Sequence, residues 1–189
     1  TTNVVWTPPT SLGCLTTWSA LCRIILNYNQ QIQPLWDIAR TYTGGVAAGQ
    51  TGACTMCHGP TSAAGTPQVP AGVTQLDLTS TNADNTQPVS YHDLLTGHSK
   101  LDPVTLMPVL VNGPIDPTTG LPTQVPVTIG PPMIAGNASA SHQFFDIFTQ
   151  SGASHAGYLS PAELRLISEW LDIGAQYFNN PFDPAAPLN

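Results

Sequence analysis

Eight prolines fall between Lys100 and Pro132, among β-branched residues and turn formers, and they bar a long helix or a central strand from that stretch. What remains open to it is extended chain with hairpin-like turns such as Asp116-Pro117-Thr118-Thr119-Gly120. The rest of the chain shares the tendency, with 16 Gly and 19 Pro among 189 residues, too many for a helical bundle. Hydrophobic residues nevertheless reach 41%, too apolar for a disordered chain. The length suits one domain, 1–189, read in parts: an N-terminal clasp over 1–22, a Pro-rich wrapping insertion over 60–132 and a helical part over 138–180.

Charge narrows the function classes. Four Lys+Arg against eleven Asp+Glu give a net charge of −7, the wrong sign for gripping a phosphate backbone, so nucleic acid is not an expected partner. No apolar run approaches the roughly 20 residues a membrane span needs, and no transmembrane segment is expected. The opening Thr1-Thr2-Asn3-Val4-Val5-Trp6 lacks an initiator Met and reads as the start of a mature exported chain. With only 8% charged residues and abundant Thr, Ser, Asn and Gln, a periplasmic or extracellular location is expected.

The most specific chemical signal is Cys54-Thr55-Met56-Cys57-His58, the C-x-x-C-H pattern of covalent c-type haem attachment. Two thiols separated by two residues can add to the two vinyl groups on one porphyrin edge, which leaves His58 under the iron as proximal ligand. A redox dithiol does not need the His, and a zinc site needs a second Cys/His pair at ligand spacing, which the chain lacks. Cys14 and Cys22 have no following His; they read as a disulfide closing a short loop, with free buried thiols as the alternative. No internal repeat is evident, so one haem is expected.

Local patterns predict several helices. Ile32, Leu35, Trp36, Ile38 and Ala39 suggest one from about Pro34 to Arg40. Val89 to Leu95 suggests a second, ending at Gly97, and Ala138 to Phe148 a third that presents Phe144, Phe145 and Phe148. Ser160-Pro161-Ala162-Glu163 forms a capping box with Pro at the first helical position. Beyond it Leu164, Ile167, Leu171, Gly174, Ala175 and Phe178 recur at helical spacing, predicting one buried face through Phe178 with Gly174 and Ala175 at a close helix contact. The Gly44-Gly45-Val46-Ala47-Ala48-Gly49 stretch would let backbone approach a porphyrin edge.

The C-x-x-C-H motif, taken with Leu159-Ser160-Pro161-Ala162-Glu163-Leu164-Arg165-Leu166-Ile167-Ser168-Glu169-Trp170-Leu171-Asp172-Ile173-Gly174-Ala175-Gln176-Tyr177, resembles monohaem c-type cytochrome domains related to the middle domain of the hydrazine synthase alpha subunit and to planctomycete-type cytochromes c. The stretch from Ile25 to Trp36 is similar to the one that precedes the motif in those domains, so the resemblance covers about 22–58 and 138–180. It implies a mainly α, loop-rich, cytochrome c-like haem domain with short helices, a capped C-terminal helix and small β elements in the Pro-rich insertion. It also implies a distal ligand just before the terminal helix, where Gly152-Ala153-Ser154-His155-Ala156-Gly157 stands; other relatives carry a Met-containing turn there. The chain has no second haem motif, so hydrazine synthesis is not implied.

Read from the residues alone, six side chains are open as the sixth ligand: Met107, Met133, His92, His98, His142 and His155. Met56 sits inside the motif and is geometrically excluded. Met133 and Met107 are Pro-flanked, but an apolar Met in such a loop also reads as core filling. His92 and His98 read as solvent-facing and His142 as a helix-surface residue. His155 sits in a small-residue turn ahead of a rigid helix and is the favoured ligand, with Met133 as the alternative.

Three functions follow from these expectations. The first is single-electron transfer through a six-coordinate haem, with redox partner proteins that include other haem proteins. The second is a five-coordinate haem enzyme or sensor for a small molecule such as a nitrogen oxide or peroxide. The third is a haem subunit of an extracellular assembly, a homo-oligomer or polymer, because so weakly charged a surface offers little for transient electrostatic docking.

Overall fold

The computed structural model describes residues 26–62, 64–65, 68–69, 76–82 and 86–179. The expected clasp over 1–22 and the Cys14–Cys22 disulfide lie outside the described residues.

The chain enters on β1 (Leu26–Asn27), passes through a π-helical turn (Tyr28–Ile32) and continues directly into α1 (Gln33–Asp37). Asn27 caps the turn by accepting from the Gln30 amide, and Pro34 lies in the first turn of α1, where its missing N–H costs nothing. The helix stops at Asp37 because Ile38 turns extended to feed β2 (Arg40–Thr41), so it starts and ends earlier than the sequence predicts. β3 (Thr51–Gly52) pairs with β2 and leads into a 3₁₀ turn, Cys54–Met56. After the 76–82 segment comes α2 (Val89–Leu95), at its predicted position.

The Pro-rich stretch then builds β4 (His98–Ser99), β5 (Leu110–Ile115), β6 (Pro122–Pro126) and β7 (Thr128–Ile129). β5 pairs with β6 and β4 with β7, both antiparallel. The expected turn at Asp116–Gly120 is closed by the Gly120 amide on the Asp116 carbonyl, 2.8 Å, and the Asp116 amide on the Leu121 carbonyl, 2.9 Å. A 3₁₀ turn (Ala138–Ser141) opens α3 (His142–Thr149), and α4 (Pro161–Asp172) carries both hydrogen bonds of the predicted capping box. β8 (Phe178–Asn179) returns to pair with β1.

Two expectations are corrected. The architecture is not mainly α and cytochrome c-like: short helices share the described chain with four two-stranded antiparallel sheets. Two of those sheets, β1–β8 and β2–β3, lie outside the Pro-rich insertion, and the helices are too short to dominate the chain. Second, α4 does not continue to Phe178. Gly174, at φ +100°, donates its amide to the Leu171 carbonyl and Ala175 donates to the Trp170 carbonyl, both 2.9 Å, a Schellman stop. The helical spacing of Gly174, Ala175 and Phe178 is therefore a coincidence of sequence.

The buried face of α4 is Leu166, Ile167, Trp170 and Leu171, packed with Tyr28, Ile32, Leu35, Trp36, Leu94, Phe144 and Phe148 in one core. Tyr28 is the aromatic hub, with ring centroids 5.1 Å from Tyr91 and 5.4 Å from Trp170. A buried polar chain crosses this core. The Trp36 indole N–H donates to the Tyr28 hydroxyl (3.2 Å), which donates to Ser90 Oγ (2.9 Å); Ser90 donates to Gln33 Oε1, and Gln33 Nε2 donates to the Leu78 carbonyl (3.0 Å). It joins α1, α2 and the 76–82 segment through groups that burial would otherwise leave unpaired. Among the described residues, no helix is long and apolar enough to cross a membrane.

Replacing Ser90 by Ala removes the partner of the Tyr28 O–H and of Gln33 in a fully buried place, and is expected to cost about 2 kcal/mol. Ser160→Ala, which removes only the cap on α4, is expected to cost about 1 kcal/mol. Urea unfolding midpoints of the two variants test that order; a Ser90→Ala midpoint at or above that of Ser160→Ala would show that the buried chain contributes little.

Candidate functional site: two opposed histidines

The Cys54–His58 motif folds as a single tight turn. The amides of Cys57 and His58 both donate to the Cys54 carbonyl, at 3.1 and 2.9 Å. That turn brings residues three and four apart onto one side, which is the geometric reason for two thiols and an imidazole at this spacing. Cys54 is half-buried and Cys57 exposed, and burial pushes the Cys54 thiol up to about 11.

His58 is held from two directions by one neighbouring segment. Its ring Nδ1 lies 3.3 Å from the Leu76 carbonyl, and its own carbonyl accepts from the Leu78 amide at 2.7 Å. Because a carbonyl can only accept, Nδ1 carries the proton and Nε2 keeps its lone pair. His155 lies across from it, with ring centroids 5.9 Å apart and planes at 41°. The His155 amide donates to the Ile147 carbonyl (3.0 Å), and its Nδ1 is 2.8 Å from Ser154 Oγ. Both imidazoles are held below their ordinary pKa by burial, His155 further by the neighbouring His58, so both are neutral around pH 7, the form that binds metal.

The walls are aromatic. Tyr158 contacts the His155 ring at 4.9 Å and Phe148 at 5.6 Å. Tyr42 stacks on Tyr158 at 4.1 Å and 19°, and burial raises its phenol to about 12, with the adjacent Cys54 and Cys57 adding to the rise. The Tyr158 hydroxyl accepts from the Ala47 amide at 2.7 Å. Beneath them Arg40 donates to Glu163 (2.8 Å), to the Tyr158 carbonyl (3.2 Å) and to the Leu35 carbonyl (2.7 Å), which fastens α4 to β2 and α1. The ion pair is largely buried, with the guanidinium also satisfied by backbone oxygens.

Two loops bring the histidines together. The 43–47 loop, between β2 and β3, lies directly on the 153–158 loop, where the Val46 amide donates to the Ser154 carbonyl at 2.8 Å. At Gly45, φ +69°, a Cβ would overlap that same carbonyl and the Tyr158 ring, and at Gly157, φ +75°, it would overlap Thr43. Here glycine is needed for contact distance as well as for backbone conformation.

The residues fit a haem. Metal–imidazole bonds are about 2.0 Å, so two imidazoles binding one metal ion from opposite sides would have ring centroids about 6 Å apart, close to the 5.9 Å found. Among the described residues, no group of three or more His, Cys, Asp or Glu side chains could hold a metal by itself.

The other sequence candidates lie elsewhere. Met133 is wholly buried in the hydrophobic core, its amide on the Leu94 carbonyl at 3.0 Å, as a gap-filling Met would be. Met107 and His142 are exposed. His92 and His98 are half-buried rather than solvent-facing, and their Nε2 atoms are buried without hydrogen-bond partners among the described residues. The Leu76 carbonyl, Tyr42, Tyr158 and the Arg40–Glu163 pair had no signature as site residues, because each acts through a contact with a distant part of the chain. Ser154 was visible only as the neighbour of His155. No family model, no curated protein and no solved structure matches the chain.

Gly49 and Gly45 both have positive φ, but only Gly45 meets neighbouring atoms. Gly49→Ala is therefore expected to cost about 1 kcal/mol, and Gly45→Ala at least about twice that, because the 153–158 loop must also move. Thermal unfolding of the pair decides it, and equal losses would mean that the loop contact is loose.

Proposed function

We propose that the chain is an exported monohaem c-type cytochrome that carries single electrons. Cys54 and Cys57 hold one haem c through thioether bonds, His58 is the proximal ligand and His155 the distal ligand. The observation that carries this reading is the opposition of the His58 and His155 rings, each with Nδ1 engaged by a neighbouring oxygen. The resemblance of the C-x-x-C-H motif and the capped terminal helix to monohaem cytochromes supports it. A haem bound here supplies one-electron chemistry at its iron.

The chain's own residues account for what surrounds that chemistry. The Leu76 carbonyl and Ser154 Oγ fix the orientation of the two imidazoles, and a carbonyl on the proximal N–H strengthens the ring as a donor. Phe148, Tyr42 and Tyr158 limit water beside His155 and Cys54. Arg40 is already paired with Glu163, so it adds little net charge to the site. Two imidazole ligands set a lower reduction potential than an imidazole and a thioether, so the chain belongs at the low-potential end of the c-type carriers. Covalent attachment of this kind belongs to an oxidising compartment, periplasmic or extracellular, where the redox partners are other electron-carrying proteins.

Near-infrared magnetic circular dichroism of the oxidised protein tests the ligand pair. A bis-imidazole band is expected in the wild type and in Met133→Leu, and its loss in His155→Ala. A band for His/Met ligation would overturn the distal assignment, and a high-spin resting spectrum would move the reading to a five-coordinate, ligand-binding haem. Haem released from the wild type by acidified acetone would sink covalent attachment altogether.

A further inference from the structure

The β5–β6 ribbon has no partner within the described chain. Every residue of β5 except Gly113, and every residue of β6 except Val125, is exposed, so both faces of the ribbon stand in solvent. A two-stranded hairpin without a packed face is marginal in water, yet this one is rich in apolar side chains. Ile115 is 61% exposed and Leu121 66%, and at the base of the ribbon Val104 is 87% exposed. Leu110 is 52% exposed, and in the turn before β5 Leu106 and Met107 are 49% and 65% exposed, so apolar side chains stand uncovered on and beside the ribbon, as they do at interaction surfaces.

We propose that the ribbon is a self-association arm, and that its occupant is the same arm of a second copy of this chain. Charge selects that partner. Each copy carries a net charge of −7, but between Pro103 and Ile129 the only ionisable side chain is Asp116, so this is a surface on which two copies meet with little repulsion. No Arg, Lys, Trp or Tyr lies in that stretch to anchor a different protein.

The ribbon also dictates how the copies meet. Pro114, Pro122 and Pro126 remove amide donors from both strands, which blocks pairing edge to edge, so contact is through a face. On β6, Pro122, Gln124 and Pro126 alternate onto one face, paired with Ile115, Asn112 and Leu110 across a break in register between Asn112 and Ile115, and that face is apolar at both ends. In its middle Gln124 Nε2 donates to Asn112 Oδ1 at 2.8 Å, leaving Asn112 Nδ2 and Gln124 Oε1 to pair with the same two groups of the second copy across a two-fold axis. Apolar ends with a self-complementary polar centre describe an isologous interface.

This inference is independent of what the His58–His155 site holds. Light scattering on the full chain as purified during size-exclusion chromatography, from low to high micromolar concentration, is expected to show the mass doubling with concentration. The double variant Leu110→Lys/Ile115→Lys is expected to stay at the one-chain mass throughout, with unchanged circular dichroism and unfolding midpoint. If that variant fails to fold, Asn112→Asp, an exposed change that sets carboxylates across the two-fold, is expected to weaken association at least tenfold. A wild type that remains at the one-chain mass overturns the proposal, as does a dimer that persists in the folded variants, and so does growth beyond two chains.

Discussion

The contact between the 43–47 and 153–158 loops is the constraint on which the site depends. One loop leads through β3 to the Cys54–His58 turn, and the other carries His155, so the distance between the two imidazoles is set where these backbones touch. That contact is possible because Gly45 and Gly157 have no Cβ at positions where one would overlap the opposite loop. A hydrogen bond from Val46 to Ser154 and another from Ala47 to the Tyr158 hydroxyl fix the register. Such fitted contacts do not slide, because neighbouring registers would put side chains where backbone now lies.

Behind the loops, two buried polar assemblies convert this local fit into a rigid frame. Arg40 joins β2, the end of α1 and the start of α4, and its partner Glu163 also closes the capping box. The Trp36–Tyr28–Ser90–Gln33 chain ties α1 and α2 to Leu78, in the same segment whose Leu76 carbonyl orients His58. The supporting structure of His58 thus reaches into the core, while His155 rests on the rings of Phe148 and Tyr158. A frame of this kind holds the two imidazoles in one arrangement, so whatever binds between them meets preorganised groups.

The ribbon obeys a different logic. Its prolines protect its edges from indiscriminate pairing but leave a neutral apolar face uncovered. A strongly acidic chain that keeps one surface almost free of charge has a direction in which its own copies can approach.

How much was legible before the fold was known follows the range of the interactions. The Ser160–Glu163 box, α2 and the Asp116–Gly120 turn were readable because each is decided by sterics and hydrogen bonds within about five residues. The mainly α architecture was misjudged because pairings such as Leu26 with Asn179 and Arg40 with Gly52 leave little local signature in two-residue strands. The length of α4 was misjudged because an apolar period continued past Gly174, where left-handed backbone ended the helix. By itself, then, the sequence determined α2, the capped start of α4 and a proline-bounded ribbon, since these are short-range chemistry. Only the tertiary structure decided that His155 faces His58 while Met133 fills the core, because that choice rests on burial and on glycine-permitted contact between segments far apart in the chain.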